Sequence, residues 1–547
     1  MHNISESSIV TLIPAAGIVK SACNYNLSNE DPSFLNIGTL LAIDEIKKKT
    51  DLKVFLAVRK SNNVIFSLNP YRDINIISVG GTKTITETIE NALKMIKADW
   101  VLINPITSIP SANNFSNSFI EFGEKKLPKE NWSSITLKKN GQPLFHRKCD
   151  MESEGILSYP FTGRIFAKKK AIIKAINKLN NYDKNDLLNL AKELYYERKV
   201  EIKYTIWLDI GHVSTYPITR ISSISSRFFN VLTFNEKENL IKKKSEKKSK
   251  ISDEIQYYKS IPLELKRYFP AILNVEENEN YISYEMEYIG KPNLSEIYLY
   301  GKVGPNAILR IFNSLEIIFK IFYEKNPLIK DNVDFLYNLK TTSRQLQLEQ
   351  IIQKKEFRFL KEIYNNDFTL NNFVFPSLKK SFELLKIELL KFDRKRKLYL
   401  GHGDLCFNNI LVDPVFGTID LIDPKAEKNE KLNKYGLVDD VYDLSKLNHS
   451  IEGLYDSVVN NLFKLSLVDI NNINFQIYKP EEYLIYNNYF KEIMLEKRID
   501  SEYLRLLTAN LFLTMLPMHV DNVERVISFA LIGSIFISKY SMSNIIL

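Results

Sequence analysis

Short apolar runs alternate with helical patterns over the first 220 residues, and this alternation stops near residue 227. Residues 9–13, 54–58, 74–79 and 100–103 are apolar runs of strand length. Between the third and fourth runs, residues 85–96 repeat apolar side chains at helical spacing. Because strands that alternate with helices usually form parallel sheets, this pattern predicts an α/β domain.

The pattern after residue 227 is different. Residues 228–234, 239–245, 272–275 and 281–288 are typical of paired strands. From about residue 293 the pattern is mostly helical, with one strand-rich insert at 398–422. A chain of 547 residues exceeds the size of one hydrophobic core. The sequence therefore predicts two domains, 1–225 and 226–547.

Composition excludes several classes of protein. The 74 Lys and Arg residues exceed the 65 Asp and Glu residues by only nine, a mild excess that suits anionic small molecules and does not indicate nucleic-acid binding. Three widely spaced cysteines favour a reducing compartment.

The amino terminus lacks the basic start of an export signal, and the apolar run 526–537 is too short to span a bilayer. We expect a cytoplasmic protein without a membrane span; its oligomeric state is left open.

The strongest chemical motif is His-Gly-Asp-Leu-Cys-Phe-Asn-Asn at 402–409, followed by a predicted hairpin that ends at Asp423. Asp404 is placed to take a proton from an attacking hydroxyl. Asn409 and Asp423 meet at one end of the hairpin, where an amide oxygen and a carboxylate suit Mg²⁺ on a triphosphate. The alternative is an ordinary hairpin whose turns favour Asp and Asn.

This motif resembles the Brenner loop and metal aspartate of the aminoglycoside phosphotransferase and choline kinase family. The resemblance implies an α+β bilobal protein-kinase-like domain, with a small lobe at about 226–292 and a large lobe at 293–547. It also implies ATP and Mg²⁺ as cofactors, a small-molecule alcohol as substrate, Asp404 as catalytic base, and Asn409 and Asp423 as metal ligands. The acidic residues at 439–443 are predicted to cap the helix that follows.

A kinase of this kind also needs a small-lobe lysine held by a glutamate. Lys242, Lys243 and Lys244 end a predicted strand, and Glu254 lies along the apolar stripe of the next helix. The resemblance to related kinases favours Lys244, whereas strand alternation leaves Lys243 and Lys244 both possible. An exposed basic strand end is the other interpretation.

The first domain carries a second set of motifs. Ala15-Ala16-Gly17 follows the first strand, and Gly80-Gly81-Thr82 precedes a helix. With residues 162–164 and the segment around Asp209, they resemble the sugar-nucleotide and choline-phosphate nucleotidylyltransferases, in which residues 162–164 would match a mid-domain substrate loop. That resemblance implies an α/β, Rossmann-like domain that binds CTP or another NTP, with Ala15, Ala16, Gly17, Lys20, Gly81 and Thr82 around the nucleotide and Asp209 at a metal. The alternative to a metal-binding role is that Asp209 simply ends a strand.

Three departures from the nucleotidylyltransferase pattern bear on activity. Gly17 is followed by Ile18-Val19-Lys20 in place of Gly-x-Arg, so that Lys20 stands in for the arginine. The lysine expected after Pro32 is absent, and the fourth strand leads into Asn104 rather than an aspartate. These changes remove charges that nucleotidyl transfer normally uses.

Together the two resemblances imply a phosphotransferase fused to a domain that activates its product for capsule or lipopolysaccharide biosynthesis. Two alternatives remain. In one, the kinase is active and the first domain only binds a nucleotide or substrate. In the other, both domains are non-enzymatic binding domains, which the intact set Asp404, Asn409 and Asp423 disfavours.

Overall fold

The computed structural model describes residues 9–16, 40, 43–44, 46–47, 52–60, 63–109, 115, 117–128, 132–148, 157–209, 230–235, 238–301, 303–324, 339–392, 398–429 and 433–545. The chain divides into two compact units, Met1–Ile224 and Ser225–Leu547. Both units mix helices and strands, and none of the sheets in the described ranges closes into a barrel.

Unit 1 is built on a large mixed sheet. Its strands are β1 (Ile9–Pro14), β2 (Lys53–Val58), β3 (Asn75–Ser78), β4 (Trp100–Ile103), β5 (Ser108–Ile109), β6 (Phe119–Gly123), β7 (Leu127–Pro128), β8 (Ser134–Leu137), β9 (Pro143–His146), β10 (Leu157–Lys168), β11 (Glu201–Thr205) and β12 (Leu208–Asp209). Its helices are α1 (Asn63–Phe66), α2 (Ile85–Met95), α3 (Lys169–Lys178) and α4 (Leu187–Tyr196).

The central strands of this sheet run in the order β11-β6-β10-β4-β1-β2-β3. The four predicted strands, β1 to β4, are confirmed and run parallel. The long strand β10 runs antiparallel to both β4 and β6, so the sheet is mixed rather than wholly parallel.

Helix α2 covers the parallel part of the sheet. Thr84 begins the helix by accepting a hydrogen bond from the backbone N–H of Glu87. Ile89 and Leu93 then bury one apolar stripe among strand residues such as Val101. Since the carboxyl ends of parallel strands meet at one edge, the segments after β1 and β3 lie on the same edge of the sheet.

Unit 2 contains several smaller sheets and most of the helices. Its strands are β13 (Asn230–Asn235), β14 (Leu240–Ser245), β15 (Ile272–Glu277), β16 (Ile282–Glu287), β17 (Phe368–Leu370), β18 (Phe373–Phe375), β19 (Leu398–Leu400), β20 (Ile410–Val412), β21 (Ile419–Leu421), β22 (Lys428–Asn429), β23 (Lys434–Tyr435), β24 (Leu437–Asp439), β25 (Phe463–Asp469) and β26 (Asn472–Ile477).

The helices of unit 2 are α5 (Lys248–Ser260), α6 (Leu263–Lys266), α7 (Leu294–Tyr300), α8 (Pro305–Glu324), α9 (Lys340–Ile351), α10 (Arg358–Asn365), α11 (Leu378–Leu390), α12 (Tyr442–Ile451), α13 (Tyr455–Val459), α14 (Tyr483–Glu496), α15 (Ser501–Met515) and α16 (Val523–Ser538). The predicted buried helix at 526–537 is confirmed as part of α16. In the described ranges, no helix is long and apolar enough to cross a membrane.

The first sheet of unit 2 is antiparallel, in the order β13-β14-β16-β15, and its four predicted strands are confirmed. Helix α5 packs on this sheet because Ile251 and Ile255 bury against Ile282 and Tyr284. A second sheet, β18-β17-β26-β25, lies in the part predicted to be helical apart from residues 398–422, so that prediction was wrong there. The hairpin β20–β21 lies within the predicted insert.

Candidate functional site

A buried lysine of unit 2 joins two carboxylates that are far apart in the sequence. The Lys243 Nζ atom lies 2.8 and 2.9 Å from the two carboxylate oxygens of Glu254, and 2.7 Å from Oδ1 of Asp423. The Lys243 side chain is 9% exposed, whereas that of Asp423 is 57% exposed. The contact therefore connects strand β14, helix α5 and the segment that follows the hairpin β20–β21.

Lys244 was expected to contact Glu254, and that prediction was wrong. Neighbouring residues of a strand point to opposite faces, so only one of the two can face helix α5. Lys243 faces the helix, while the Lys244 ammonium lies 3.6 Å from the ring centroid of Tyr281. Lys242 is also turned away, since it pairs with Glu276 at 2.7 Å. The structure thus selects Lys243, which strand alternation had left open.

Glu254 is held at this position by burial and by hydrogen bonds. It lies on the buried face of α5, and the Tyr284 hydroxyl donates to it at 2.6 Å. Burial raises the pKa of Glu254, although the adjacent Lys243 ammonium works in the opposite direction. Burial would lower the pKa of Lys243, but Asp423 and Glu254 outweigh it and raise that pKa. Lys243 therefore stays charged inside the protein.

The loop that carries Asp404 is fixed by a carboxylate of helix α12. Asp443 accepts hydrogen bonds from the backbone N–H groups of His402 and Gly403, each at 2.8 Å. The Tyr323 hydroxyl donates to the same carboxylate at 2.9 Å. Gly401 makes this approach possible, because a Cβ atom there would lie 2.8 Å from Asp443 Oδ2. The expectation that the acidic residues at 439–443 cap the helix was wrong for Asp443, whose side chain holds the loop instead.

Asp404 itself meets a lysine that sequence reasoning missed. The Lys446 Nζ atom, one turn further along α12 than Asp443, lies 2.8 Å from Asp404 Oδ1. Burial would lower the pKa of Lys446, but the Asp404 carboxylate outweighs it and raises the pKa. The spacing in the sequence could have pointed to Lys446, because Asp443 and Lys446 are three residues apart and share a helix face.

The adjacent Cys406 is buried, which raises the pKa of its thiol and keeps it unreactive.

Asn409 and Asp423 flank the open end of the hairpin β20–β21. Ile410 pairs with Leu421, and the Ile422 N–H donates to the Asn409 carbonyl at 3.0 Å. The Asn409 Nδ2 group donates to the Asp404 carbonyl at 2.8 Å, which turns its Oδ1 atom away from that loop. Asp423 adopts a left-handed backbone conformation with φ of 55°.

The pKa of Asp423 depends on the charges of Lys243 and Asp404. Loss of surrounding water would raise the pKa of Asp423, but the Lys243 ammonium outweighs this effect and holds the pKa below the ordinary value, while the charge of Asp404 works against Lys243. In the described part of the chain, no group of three or more His, Cys, Asp and Glu side chains is arranged to hold a metal. A metal here would therefore depend on Asp423, the Asn409 amide oxygen and oxygens of a bound ligand.

In unit 1 the two predicted nucleotide segments lie at the same sheet edge. Ala15 donates its N–H to the Ala57 carbonyl at 2.8 Å, and Ala16 is buried. Gly80 has φ of +77°, and a Cβ atom at Gly81 would meet nothing within 4 Å, so the backbone there is open to a ligand. Thr82 is buried and shares a hydrogen bond of 2.6 Å with Thr88. Gly17 and Lys20 lie outside the described residues.

A polar cluster lies beyond β4 in unit 1. Asp209 is buried on β12, and its register partner on β5 is Ser108. Asn104, which directly follows β4, donates to the carbonyls of Pro105 and Ser108 at 2.9 and 3.0 Å. Its Oδ1 atom is buried without a hydrogen-bond partner. Asn104 is fully buried, and its two hydrogen bonds fix the segment that follows β4.

Residues 162–164, predicted as a substrate loop, lie inside strand β10. Arg164 is 1% exposed, and its Nη1 atom lies 2.9 Å from both carboxylate oxygens of Glu121, which is equally buried. The pair crosses from β10 to β6 within the sheet. The substrate-loop prediction was therefore wrong, and Arg164 is an internal structural cation.

No protein-family model and no curated protein matches the chain. Among solved structures, a thermostable mutant of aminoglycoside phosphotransferase APH(4)-Ia matches 59% of this chain and 97% of its own, at 11% identity and a TM-score of 0.35. Aminoglycoside-3'-phosphotransferase of type VIII matches 50% and 84%, at 14% identity and a TM-score of 0.30. UDP-glucose pyrophosphorylase complexed with UDP-glucose matches 39% and 97%, at 14% identity and a TM-score of 0.28. Similarities this distant establish no activity.

Proposed function

We propose that unit 2 is an ATP-dependent phosphotransferase, of bilobal kinase-like fold, that acts on the hydroxyl of a small molecule. The observation that carries this proposal is the contact of Lys243 with both Glu254 and Asp423. A lysine held by a helix glutamate beside a metal-binding aspartate is the arrangement that phosphoryl transfer from ATP requires. Asp404 lies within electrostatic reach of Asp423, so a base is available near the same place.

In this proposal Asp404 accepts the proton of the acceptor hydroxyl. The hydroxyl oxygen forms a bond to the γ-phosphorus of ATP, the bond from that phosphorus to the bridging oxygen breaks, and ADP leaves with the electron pair. Lys446 holds the Asp404 carboxylate in place through the contact of 2.8 Å between its Nζ atom and Asp404 Oδ1. Lys243 contacts the phosphates of the nucleotide.

The residues present fit Mg²⁺. Asp423 offers a carboxylate that is 57% exposed, and Asn409 offers an amide oxygen, while phosphates and water complete the oxygen ligands that this ion prefers. When bound, Mg²⁺ would neutralise charge on the phosphates. Asp423 and the Asn409 amide oxygen would hold the ion, and Lys243 contacts the same Asp423 carboxylate at 2.7 Å.

The test is a screen of the purified chain with ATP, Mg²⁺ and a panel of small alcohols, read as ADP formation and as the mass of the phosphorylated product. Calorimetry of Mg²⁺-ATP binding accompanies it. Asp423→Asn is expected to weaken Mg²⁺-dependent ATP binding by about tenfold or more, because it removes a charged ligand. Unchanged affinity in that variant would exclude Asp423 as a ligand, and the absence of any phosphorylated product would count against the kinase.

For unit 1 we propose binding of CTP or another NTP, or of a phosphorylated ligand, with nucleotidyl transfer slow or absent. What supports binding is the open backbone at Gly80 and Gly81, on the same sheet edge as Ala15 and Ala16. Fast nucleotidyl transfer is disfavoured because the motifs of unit 1 retain few charged residues, and cations are needed to stabilise the charge that develops on the phosphates.

The second candidate is a bifunctional enzyme whose unit 1 couples the phosphorylated product to a nucleotide, as in capsule or lipopolysaccharide precursors. Pyrophosphate release distinguishes the two. The full chain with each NTP, Mg²⁺ and the product of the kinase reaction is expected to release pyrophosphate slowly or not at all. Rapid release that disappears in Asp209→Ala would establish the bifunctional enzyme instead.

A further inference from the structure

We propose that Tyr257 is a positioning residue of the phosphotransfer reaction, because its hydroxyl group joins helix α5 to the loop that carries Asp404. This inference rests on the proposed phosphotransferase function. It adds a residue that sets the distance between Lys243, which α5 holds, and the base of that reaction. The geometric basis is the contact of the Tyr257 side chain with two glycines, Gly401 and Gly436.

Helix α5 carries two functional contacts on one buried face. Glu254, which holds Lys243, and Tyr257 are three residues apart, so their side chains lie on the same side of the helix. Both side chains are buried. A displacement of α5 would therefore move the lysine–glutamate pair and the tyrosine together.

The Tyr257 hydroxyl reaches from this helix to the backbone of the loop. It donates a hydrogen bond to the Gly401 carbonyl at 2.9 Å. Gly401 directly precedes His402, the first residue of the motif that contains Asp404. Because a buried phenol hydroxyl needs a hydrogen-bond partner, this contact fixes the position of the helix relative to the loop.

Two glycines make room for the tyrosine. Gly401 donates its backbone N–H to the Gly436 carbonyl at 3.0 Å, so the two residues are neighbours. A Cβ atom at Gly436 would lie 2.6 Å from Cδ2 of the Tyr257 ring, which is too close for any side chain. Gly436 also has φ of +64°, a conformation that glycine adopts without strain. The ring therefore fills a space that only glycine leaves open.

The loop of the proposed base is thus held from two directions. From α12, Asp443 accepts hydrogen bonds from the N–H groups of His402 and Gly403, each at 2.8 Å. From α5, Tyr257 donates to the carbonyl of the residue just before them. The first contact sets the shape of the loop, whereas the second sets its position relative to the helix of the lysine–glutamate pair.

Phosphoryl transfer is sensitive to this relative position. The attacking hydroxyl and the γ-phosphate must be aligned, and a misplacement of about 1 Å can lower a rate by about 10²-fold. Lys243 contacts Asp423 directly, so a small movement of α5 also shifts the lysine beside that carboxylate. Loss of the Tyr257 hydroxyl should consequently reduce turnover more than it reduces the affinity for either substrate.

The first experiment measures the kinetics of Tyr257→Phe, which keeps the ring and removes only the hydroxyl, with the full chain, ATP, Mg²⁺ and the acceptor found in the screen. We expect kcat to fall by about tenfold or more, and KM for ATP and for the acceptor to change less than about twofold. Tyr364→Phe is the matched control, because this buried tyrosine loses hydrogen bonds with Gln345 and Glu349 of α9; it should retain the wild-type kcat. A wild-type kcat in Tyr257→Phe, or a change confined to KM, would overturn the inference.

The second experiment breaks the same contact from the other side. Gly436→Ala places a Cβ atom against the Tyr257 ring and is expected to lower kcat about as far as Tyr257→Phe does. The double variant should lose little more than either single variant, because changes that act through one contact are not additive. Gly304→Ala is the control for backbone strain, since Gly304 has φ of +76° and nothing within 4 Å of its Cβ position. Equal kcat values for the two alanine variants, or losses that multiply in the double variant, would contradict the proposed contact.

The third experiment separates failure of this inference from failure of the phosphotransferase. Hydrogen exchange followed by mass spectrometry needs no turnover and reports the stability of the segment 398–409. We expect this segment to exchange faster in Tyr257→Phe than in the wild type, by about threefold or more, and at the wild-type rate in Tyr364→Phe. If this difference appears but no acceptor is phosphorylated, the connection between α5 and the loop stands and the phosphotransferase falls. If exchange of 398–409 is unchanged in Tyr257→Phe, the connection falls whatever the activity.

Discussion

At the level of single residues, the proposed phosphotransfer depends on which lysine of β14 faces helix α5. Lys243 is buried between Glu254 and Asp423, whereas Lys244 lies over the ring of Tyr281. Two adjacent residues of the same type thus have opposite surroundings. They form a natural pair of test and control, because the same substitution can be made at each.

Lys243→Met is expected to reduce phosphotransfer by about 10²-fold or more, because it removes the cation proposed to position the phosphates. Lys244→Met is expected to retain activity within a fewfold of the wild type. Steady-state ADP formation measures both, and circular dichroism checks that both variants fold. If Lys244→Met were the damaging change, the assignment from the structure would be wrong.

A second residue-scale prediction concerns pH. Asp456 is fully buried, and burial raises its pKa from 3.8 to about 6 despite hydrogen bonds from Ser295 and Ser450. Between these values the folded state binds a proton that the unfolded state lacks, so this group stabilises the fold at low pH and that contribution is lost as pH rises toward 6. Its magnitude is at most about 3 kcal/mol.

Asp456→Asn removes this titration. The variant is expected to have a flatter dependence of Tm on pH between pH 4 and 7 than the wild type, and a higher Tm at pH 7. Asp521→Asn, whose side chain is 68% exposed in the wild type, serves as control and should follow the wild-type curve. Parallel curves for wild type and Asp456→Asn would show that Asp456 does not titrate in this range.

At the scale of elements, the sheet of unit 1 is crossed by a buried charge pair that joins β10 to β6. Arg164→Met leaves Glu121 without its main partner inside the protein, and should reduce the free energy of unfolding of unit 1 by about 3–5 kcal/mol. Replacing both residues with Met should recover most of the loss, because no charge then remains buried. Urea denaturation followed by circular dichroism measures both variants.

The control for this pair is Lys94→Met, which breaks an exposed pair with Glu90 four residues away on α2. It should cost about 0.5 kcal/mol or less, because solvent screens the interaction. Equal effects of Lys94→Met and Arg164→Met would contradict the role given to the buried pair.

Elements also show what the sequence could predict. The strands β1 to β4 were predictable because each is a short apolar run, and β13 and β14 were predictable because they flank a polar turn. Strands β25 and β26 were missed, although Phe463, Leu465, Ile473 and Phe475 alternate with polar residues, because a short strand pair among helices gives a weak signal. Partners such as Asp443 with His402 could not be predicted, since only the fold brings together segments so far apart in the chain.

In the candidate site, the types of residue were evident from the sequence, whereas the contacts between their side chains were evident only from the structure. Asp404, Asn409 and Asp423 were recognisable as a set from their order and spacing. The choice between Lys243 and Lys244 was not, because the exact start of a strand decides which residue faces inward.

At the scale of the whole molecule, the chain consists of two compact units with different site chemistry. The site in unit 2 contains buried and paired charges, whereas the site proposed in unit 1 consists mainly of backbone groups and neutral side chains. We therefore expect the full chain to consume ATP by phosphotransfer and to release little pyrophosphate. A variant that abolishes phosphotransfer should leave nucleotide binding by unit 1 unchanged.

Phosphotransfer by the Asp404→Ala variant tests whether unit 2 is a kinase that uses Asp404 as its base. The measurement follows transfer of the labelled γ-phosphate of ATP to the preferred acceptor, with the full chain and saturating Mg²⁺. We expect a loss of about 10²-fold or more in kcat with the fold intact, because the hydroxyl then lacks the group that accepts its proton. Full activity in Asp404→Ala would contradict the proposed mechanism and the function built on it.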